Sequence, residues 1–162
     1  MAKAVKKAAK PAKKTVAKPA KISGKKPRPH WRKDWKTSEK AWDDGLALRR
    51  AMFGPAGAEN QIADTSDFMW PMQDYVTRKC FGETWTRPVL NRKTRSLITL
   101  AMLVAMARPH EIAVHVRGAV NNGVSKEELS ELMLHSVIYC GIPKAVEGFR
   151  TAQGVLKDMG LE

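Results

Sequence analysis

The chain has 162 residues, which is enough for one domain with a buried core and short for two. Its formal net charge of +13 arises in the first 36 residues, which hold fourteen lysines and arginines and one acidic residue, Asp34; the remainder has fifteen of each sign. Cys80 and Cys140 stand far apart and outside any CxxC motif, which excludes a disulfide framework and a four-cysteine zinc site. The longest apolar run, 97–107, is shorter than the roughly 20 residues that span a bilayer, and no secretory signal is apparent. We therefore expect a cytoplasmic protein without a membrane partner.

Residues 1–36 consist mainly of Ala, Lys and Pro, and this composition predicts a disordered tail in front of one folded domain at 37–162. The tail would attract polyanions without sequence preference, although a solubilising extension fits the composition equally well and a mitochondrial targeting segment fits it less well. Trp31 and Trp35 alternate with basic residues in "HWRKDWK". Docking of these rings onto the core is favoured over stacking on single-stranded nucleic acid.

Beyond the tail, apolar spacing and turn residues predict an all-α domain of about six helices joined by short loops. The predicted helices are 39–53, about 66–80, 92–107, 109–122, 125–139 and 143–160. Ser38 and Asn91 are expected to cap the first and third helices, and Ser125 with Glu128 forms a capping box. Gly82 is expected to end the second helix. The second half of 92–107 is apolar on all sides, which predicts burial in the core or against another subunit.

The segment "RPHEIAVHVRGAVNNG" places Glu111 and His115 four residues apart on one helical face. Spacing alone is compatible with a surface pair, half of a metal site, or a catalytic dyad in which the carboxylate orients the imidazole and raises its pKa. Ile112 and Val116 put an apolar stripe beside this face, which favours partial burial. His135 on the following helix is predicted to be a core histidine, with a pocket role as the alternative.

Arginines form the second group of candidates. Arg92 and Arg95 lie one turn apart at a predicted helix N-terminus, where free N–H groups and guanidinium forks together would suit a carboxylate. Ion pairing with a neighbouring subunit is an equally common use of such arginines. Arg49 and Arg50 in "LRRAMFG" are further candidates for the same role.

Three stretches together, "LRRAMFG", "FGETWTRPVLNRKTRSLITLAMLVAM" and "HEIAVHVRGAVNNGVSKEELSELMLHSVIYCGIPKAVEGF", resemble the carboxymuconolactone decarboxylase family, specifically its 4-carboxymuconolactone decarboxylase branch. The likeness covers about residues 44–158. It implies an alkylhydroperoxidase-D-like helical fold assembled as trimers or hexamers. In the peroxidase relatives the equivalent helix carries C-x-x-C-x-x-x-H; here Arg108 and Glu111 replace the cysteines and His115 is retained, which disfavours thiol peroxidase chemistry. Phe81 departs from the family's usual "WGxxW".

The resemblance implies decarboxylation of 4-carboxymuconolactone, a dicarboxylate lactone, to 3-oxoadipate enol-lactone in protocatechuate catabolism, without a metal or other cofactor. His115, oriented by Glu111, would stabilise or protonate the dienolate. Arg92 or Arg95 would bind a substrate carboxylate, with Arg49, Arg50 and His135 as weaker pocket candidates. Three alternatives remain open: a paralogue acting on another lactone or oxo-acid, a thiol peroxidase, and a nucleic-acid-associated protein that uses its tail.

Overall fold

The structure is a computed structural model that describes residues 39–162. This part of the chain folds into seven α-helices with one 3₁₀ turn, one π-helical segment and no β-strand, so the predicted all-α class is confirmed. The elements are α1 (Glu39–Phe53), the 3₁₀ turn (Pro55–Gly57), α2 (Glu59–Ala63), α3 (Trp70–Tyr75), the π segment (Val76–Thr84), α4 (Arg92–Ala105), α5 (Pro109–Asn121), α6 (Lys126–Cys140) and α7 (Ile142–Asp158). The predicted tail at 1–36, with Trp31 and Trp35, and the predicted cap Ser38 lie outside the described residues. None of the helices in 39–162 is long and apolar enough to cross a membrane.

Short-range capping signals set most of the helix ends. The Asn91 side chain accepts a 2.8 Å hydrogen bond from the Thr94 amide at the start of α4. Ser125 and Glu128 form the predicted capping box at the start of α6. Gly141, at φ 86°, separates α6 from α7 in a backbone conformation that other residues rarely adopt. These predicted ends are confirmed.

The predicted helix at 66–80 was wrong at both ends. Residues 67–69 form a turn, and helical structure begins at Trp70 and continues past Gly82 as the π segment to Thr84. Gly82 lies inside the π segment and does not end the helix. It permits close packing instead, since a Cβ there would lie 1.9 Å from the Ala41 carbonyl oxygen on α1. Gly45 on α1 makes the reciprocal approach to the Thr77 carbonyl.

Two apolar clusters form the interior. Helices α4 to α7 enclose the larger one, which includes Leu100, Val104, Ile112 and Met133. Its buried members are Leu100, Leu103, Val104, Ile112, Val116, Ala119, Val124, Leu129, Met133, Ala152, Val155 and Leu156. The smaller cluster lies between α1 and the π segment and contains Leu48, Met52 and Phe81. Helix α5 contacts both α1 and the larger cluster, so its residues lie where the two clusters meet.

Helix α4 is buried on one face only. Leu100, Leu103 and Val104 face the core, whereas Ile98 and Met102 are exposed on the single chain. The prediction that the chain's own core buries α4 on all sides is therefore wrong. Burial of its outer face against another subunit stays a prediction.

Candidate active site

His115 lies half-buried on α5 inside an aromatic enclosure. Phe53, the last residue of α1, meets the imidazole edge-on with 5.5 Å between ring centroids. Trp85, directly after the π segment, is tilted 31° to the imidazole at 6.5 Å. Two segments distant in sequence thus bring aromatic side chains against His115 on a third.

Phe81 closes the back of this enclosure. Its ring is buried, contacts Phe53 edge-on at 5.7 Å and packs against Trp85 at 5.8 Å. The motif "FGETW" therefore contributes both of its aromatic residues to the wall near His115. Gly118, one turn after His115, leaves the room for Phe53, since a Cβ there would lie 2.5 Å from the Phe53 ring.

The surroundings of His115 disfavour the charged form of its imidazole. Burial lowers the pKa of His115 below its ordinary value, and the charge of Glu111 offsets part of that effect. Glu111 acts in the predicted direction, toward a higher pKa of His115, but the loss of hydration has the larger effect. Nδ1 is enclosed without a hydrogen-bond partner among residues 39–162. Nε2 is consequently the ring nitrogen left to interact with a ligand.

Glu111 pairs with Arg108 and makes no hydrogen bond to His115. The Arg108 guanidinium donates to both carboxylate oxygens, at 2.5 Å and 3.2 Å. This hydrogen bonding from Arg108 lowers the pKa of Glu111. The Glu111 side chain is 36% exposed, so the carboxylate lies at the rim of the site rather than inside it. The predicted orientation of His115 by Glu111 is absent here, although the charge of Glu111 acts on the imidazole.

Arg92 and Arg95 begin α4 as predicted, and the structure gives them different environments. Arg95 donates to the backbone carbonyls of Arg87 and Leu90 at 3.1 Å each, and so fastens the loop that follows Trp85. Arg92 is exposed. Neither is hydrogen-bonded to His115 within the described chain, and their predicted contact with a substrate carboxylate stays a prediction.

Arg49 and Arg50 also differ. Arg50 is exposed and paired with Glu59. Arg49 is only 3% exposed, and its guanidinium donates to Gly57, Gln61, Gln73 and Thr77. The loss of hydration lowers the pKa of Arg49. Either arginine's contact with a substrate remains a prediction.

His135 is exposed on α6, and its ring lies 4.9 Å from that of Tyr139 at a tilt of 42°. Its predicted place in the core is therefore wrong for the single chain. Both cysteines are free, and burial raises the pKa of Cys80, which opposes formation of the thiolate that a peroxidase needs.

No cluster of three or more His, Cys, Asp or Glu side chains suitable for a metal ion occurs in residues 39–162.

Sequence reasoning overlooked Phe53 as a wall of the site and Arg108 as the partner of Glu111. Phe53 belongs to the quoted stretch "LRRAMFG", but spacing along the chain gives no indication that it meets His115, 62 positions later. Arg108 stands three residues before Glu111, a spacing at which helical side chains meet, and this signal could have been used.

The sequence of this chain is similar to those of known proteins. The model of the carboxymuconolactone decarboxylase family matches residues 71–154, which include the π segment, Trp85 and His115. The chain belongs to this family. A 4-carboxymuconolactone decarboxylase of Acinetobacter baylyi is 38% identical over 123 residues, covering 76% of this chain and 92% of the relative. A nitrosuccinic acid decarboxylase of Metarhizium robertsii is 36% identical over 118 residues, covering 73% and 82%. This member of the carboxymuconolactone decarboxylase family is accordingly a carboxy-lyase.

Proposed function

We propose that the chain decarboxylates 4-carboxymuconolactone to 3-oxoadipate enol-lactone. The observation that carries this proposal is the half-buried imidazole of His115, which has one ring nitrogen enclosed and the apolar rings of Phe53 and Trp85 beside it. The Acinetobacter baylyi relative named for this substrate supports the choice.

The substrate supplies its own electron sink. The bond between the ring carbon and the departing carboxylate breaks, and its electron pair moves through the ring double bond onto the lactone carbonyl oxygen. Carbon dioxide leaves, and one proton is gained at carbon. The protein's task is to orient the lactone and to stabilise the oxygen that becomes negative.

His115 stabilises that oxygen as a neutral hydrogen-bond donor. Because its pKa is lowered by burial, the imidazole carries one hydrogen near neutral pH. Placing that hydrogen on Nε2 directs it toward the ligand and leaves only a lone pair at the enclosed Nδ1. Neutral histidines act as electrophilic donors toward enolates in other enzymes.

The aromatic rings assist the loss of carbon dioxide. A carboxylate placed against Phe53, Phe81 and Trp85 has few donors to replace its hydration, which raises the free energy of the charged reactant relative to the charge-dispersed transition state. A protonated His115 would work against this, since it would stabilise the same carboxylate in the ground state.

Ultraviolet absorbance of 4-carboxymuconolactone with the purified full chain tests the proposal. We expect catalytic loss of substrate, with one equivalent of carbon dioxide released per enol-lactone formed. Nitrosuccinic acid belongs in the same assay, because the Metarhizium robertsii relative is nearly as similar. Loss of 4-carboxymuconolactone no faster than in a protein-free solution would refute the assignment.

We further propose that the enzyme is a homo-oligomer, as a trimer or a hexamer. Supporting this, large apolar side chains on α4 and α6 are exposed on the single chain, including Met102, Ile138 and Tyr139, the last two 79% and 76% accessible. Large apolar side chains exposed in this way are typical of interfaces between proteins. A second copy of the chain is the occupant that we propose for it.

A further inference from the structure

A second concave site adjoins the aromatic enclosure at Phe53. It has a volume of about 660 Å³ and lies between the segment after α1, the start of α3 and the outer side of α5. Phe53 borders it and also contacts His115. The polar residues that line it include Gln61, Gln73 and Arg117.

A buried cation lies behind this pocket. Three of the four groups that accept hydrogen bonds from Arg49, namely Gly57, Gln61 and Gln73, line the pocket. The fourth is the Thr77 hydroxyl on the π segment. All four acceptors are neutral, and no acidic side chain pairs with Arg49 in the described part of the chain. A buried charge without a counter-ion is costly to maintain, and such charges are usually compensated by an opposite one.

Arg49 fixes the orientation of the two glutamine amides. Its donors hold Oε1 of Gln61 at 2.6 Å and Oε1 of Gln73 at 2.9 Å. With both oxygens turned toward Arg49, the NH₂ groups are the ends of these side chains left to face the pocket. The pocket therefore presents hydrogen-bond donors, although glutamine by itself could present either end.

The formal charge around the pocket is positive. Arg117 and Asp64 are its charged lining residues, and they balance each other. Arg49 adds one unit behind Gln61 and Gln73. The NH₂ donors, the Arg117 guanidinium and the uncompensated charge together match a carboxylate, which accepts several hydrogen bonds and carries the missing negative charge.

We propose that this pocket binds the carboxylate that the substrate retains, while the carboxylate to be lost lies in the aromatic enclosure beside His115. The inference rests on the proposed function and deepens it, because it assigns each of the substrate's two carboxylates to its own surroundings. Gln61, Gln73 and Arg117 contact the retained carboxylate, and Arg49 acts through the two glutamines as a positioning residue. Selection between the two carboxylates then follows from their surroundings, one supplied with donors and the other desolvated.

Calorimetric titration of the full chain with succinate, an unreactive dicarboxylate, tests the pocket without requiring turnover. We expect Arg117→Gln and Gln61→Glu each to raise the Kd for succinate at least tenfold, and Arg150→Gln, an exposed arginine on α7, to leave it unchanged. Gln61→Glu should also raise the melting temperature, because the new carboxylate pairs with Arg49 as it repels the ligand. A substitution that merely disrupts the fold would lower both the affinity for succinate and the melting temperature.

The outcomes separate the two proposals. Absence of succinate binding to the wild-type chain, or a Kd within twofold of wild type in both Arg117→Gln and Gln61→Glu, would overturn the pocket. Turnover of 4-carboxymuconolactone with an unchanged KM in both variants would overturn the pocket while leaving the decarboxylase intact. Succinate binding that both variants weaken, in a chain that does not turn over the lactone, would support the pocket and reject the substrate.

Discussion

At the scale of single residues, the chemistry depends on how His115 is hydrated. The enclosing rings remove most of its water, and Glu111 restores only part of the lost stabilisation of the charged form. Glu111 is engaged with Arg108, so its influence on the imidazole is electrostatic. Burial thus favours the neutral form of His115, and the charge of Glu111 opposes that effect in part.

The pH dependence of kcat/KM follows from this lowered pKa. Free histidine has a pKa of about 6.5, so its neutral form predominates above that pH. In the folded enzyme the neutral form is lost as the pH falls through the lower pKa of His115. We expect kcat/KM to be level from about pH 7 to 8 and to decrease on the acid side below about 6.5. An increase in kcat/KM as the pH falls below this range would mean that the imidazolium is the active form.

Replacement of Glu111 by Gln should move that acid limb to lower pH, because it removes the charge that favours protonation of His115. We expect kcat at pH 7.5 to change by less than about tenfold, since Glu111 gives the imidazole no hydrogen bond. His110→Gln is the control for a neighbouring polar change on α5. An unmoved acid limb in Glu111→Gln would show that the carboxylate does not act on the histidine.

At the scale of elements, glycines decide how closely α1 approaches the π segment. A Cβ at Gly45 would lie 1.9 Å from the Thr77 carbonyl oxygen, whereas one at Gly154 on α7 would meet nothing within 4 Å. We expect Gly45→Ala to lower the free energy of unfolding by about 1–3 kcal/mol or more. Gly154→Ala should raise it by about 0.5–1 kcal/mol. Urea denaturation measures the free energy of unfolding of both variants. Equal changes in the two would contradict the packing described.

Gly118→Ala should affect the site more than the fold. The added methyl group meets the Phe53 ring, which can turn away at modest cost. Because Phe53 borders His115, we expect kcat to fall roughly tenfold or more while the melting temperature changes little. A large loss of stability with unchanged kcat would place Phe53 outside the active site.

The helices that sequence predicted well are those whose ends are set by neighbouring residues, such as the Asn91 cap and the Ser125 capping box. The region 66–84 was predicted poorly, because a glycine required for packing against α1 looks the same in sequence as a glycine that ends a helix. His115 was predicted as a candidate from its motif and as partly buried from its apolar neighbours, but the aromatic rings around it were not predicted. The contacts with Phe53 and Trp85 cross from one element to another, and the pairing of Glu111 with Arg108 competes with the dyad that spacing favoured.

At the scale of the whole molecule, the exposed apolar faces of α4 and α6 predict assembly. We expect Ile138→Lys to reduce the molar mass measured by light scattering toward that of one chain, because a buried lysine would be unpaired there. Leu161→Lys, a matched change at an exposed apolar residue beyond α7, should leave the oligomer intact. A wild-type chain that sediments as a monomer would contradict the proposed assembly.

The proposed reaction has one main requirement: the neutral, desolvated imidazole of His115 must stabilise the dienolate that decarboxylation forms. Its most direct test is the turnover of 4-carboxymuconolactone by His115→Gln, at saturating substrate and pH 7.5, beside the wild-type chain. Loss of the positioned donor should lower kcat by roughly 10²–10⁴ with the fold intact. A kcat within twofold of wild type would contradict the account.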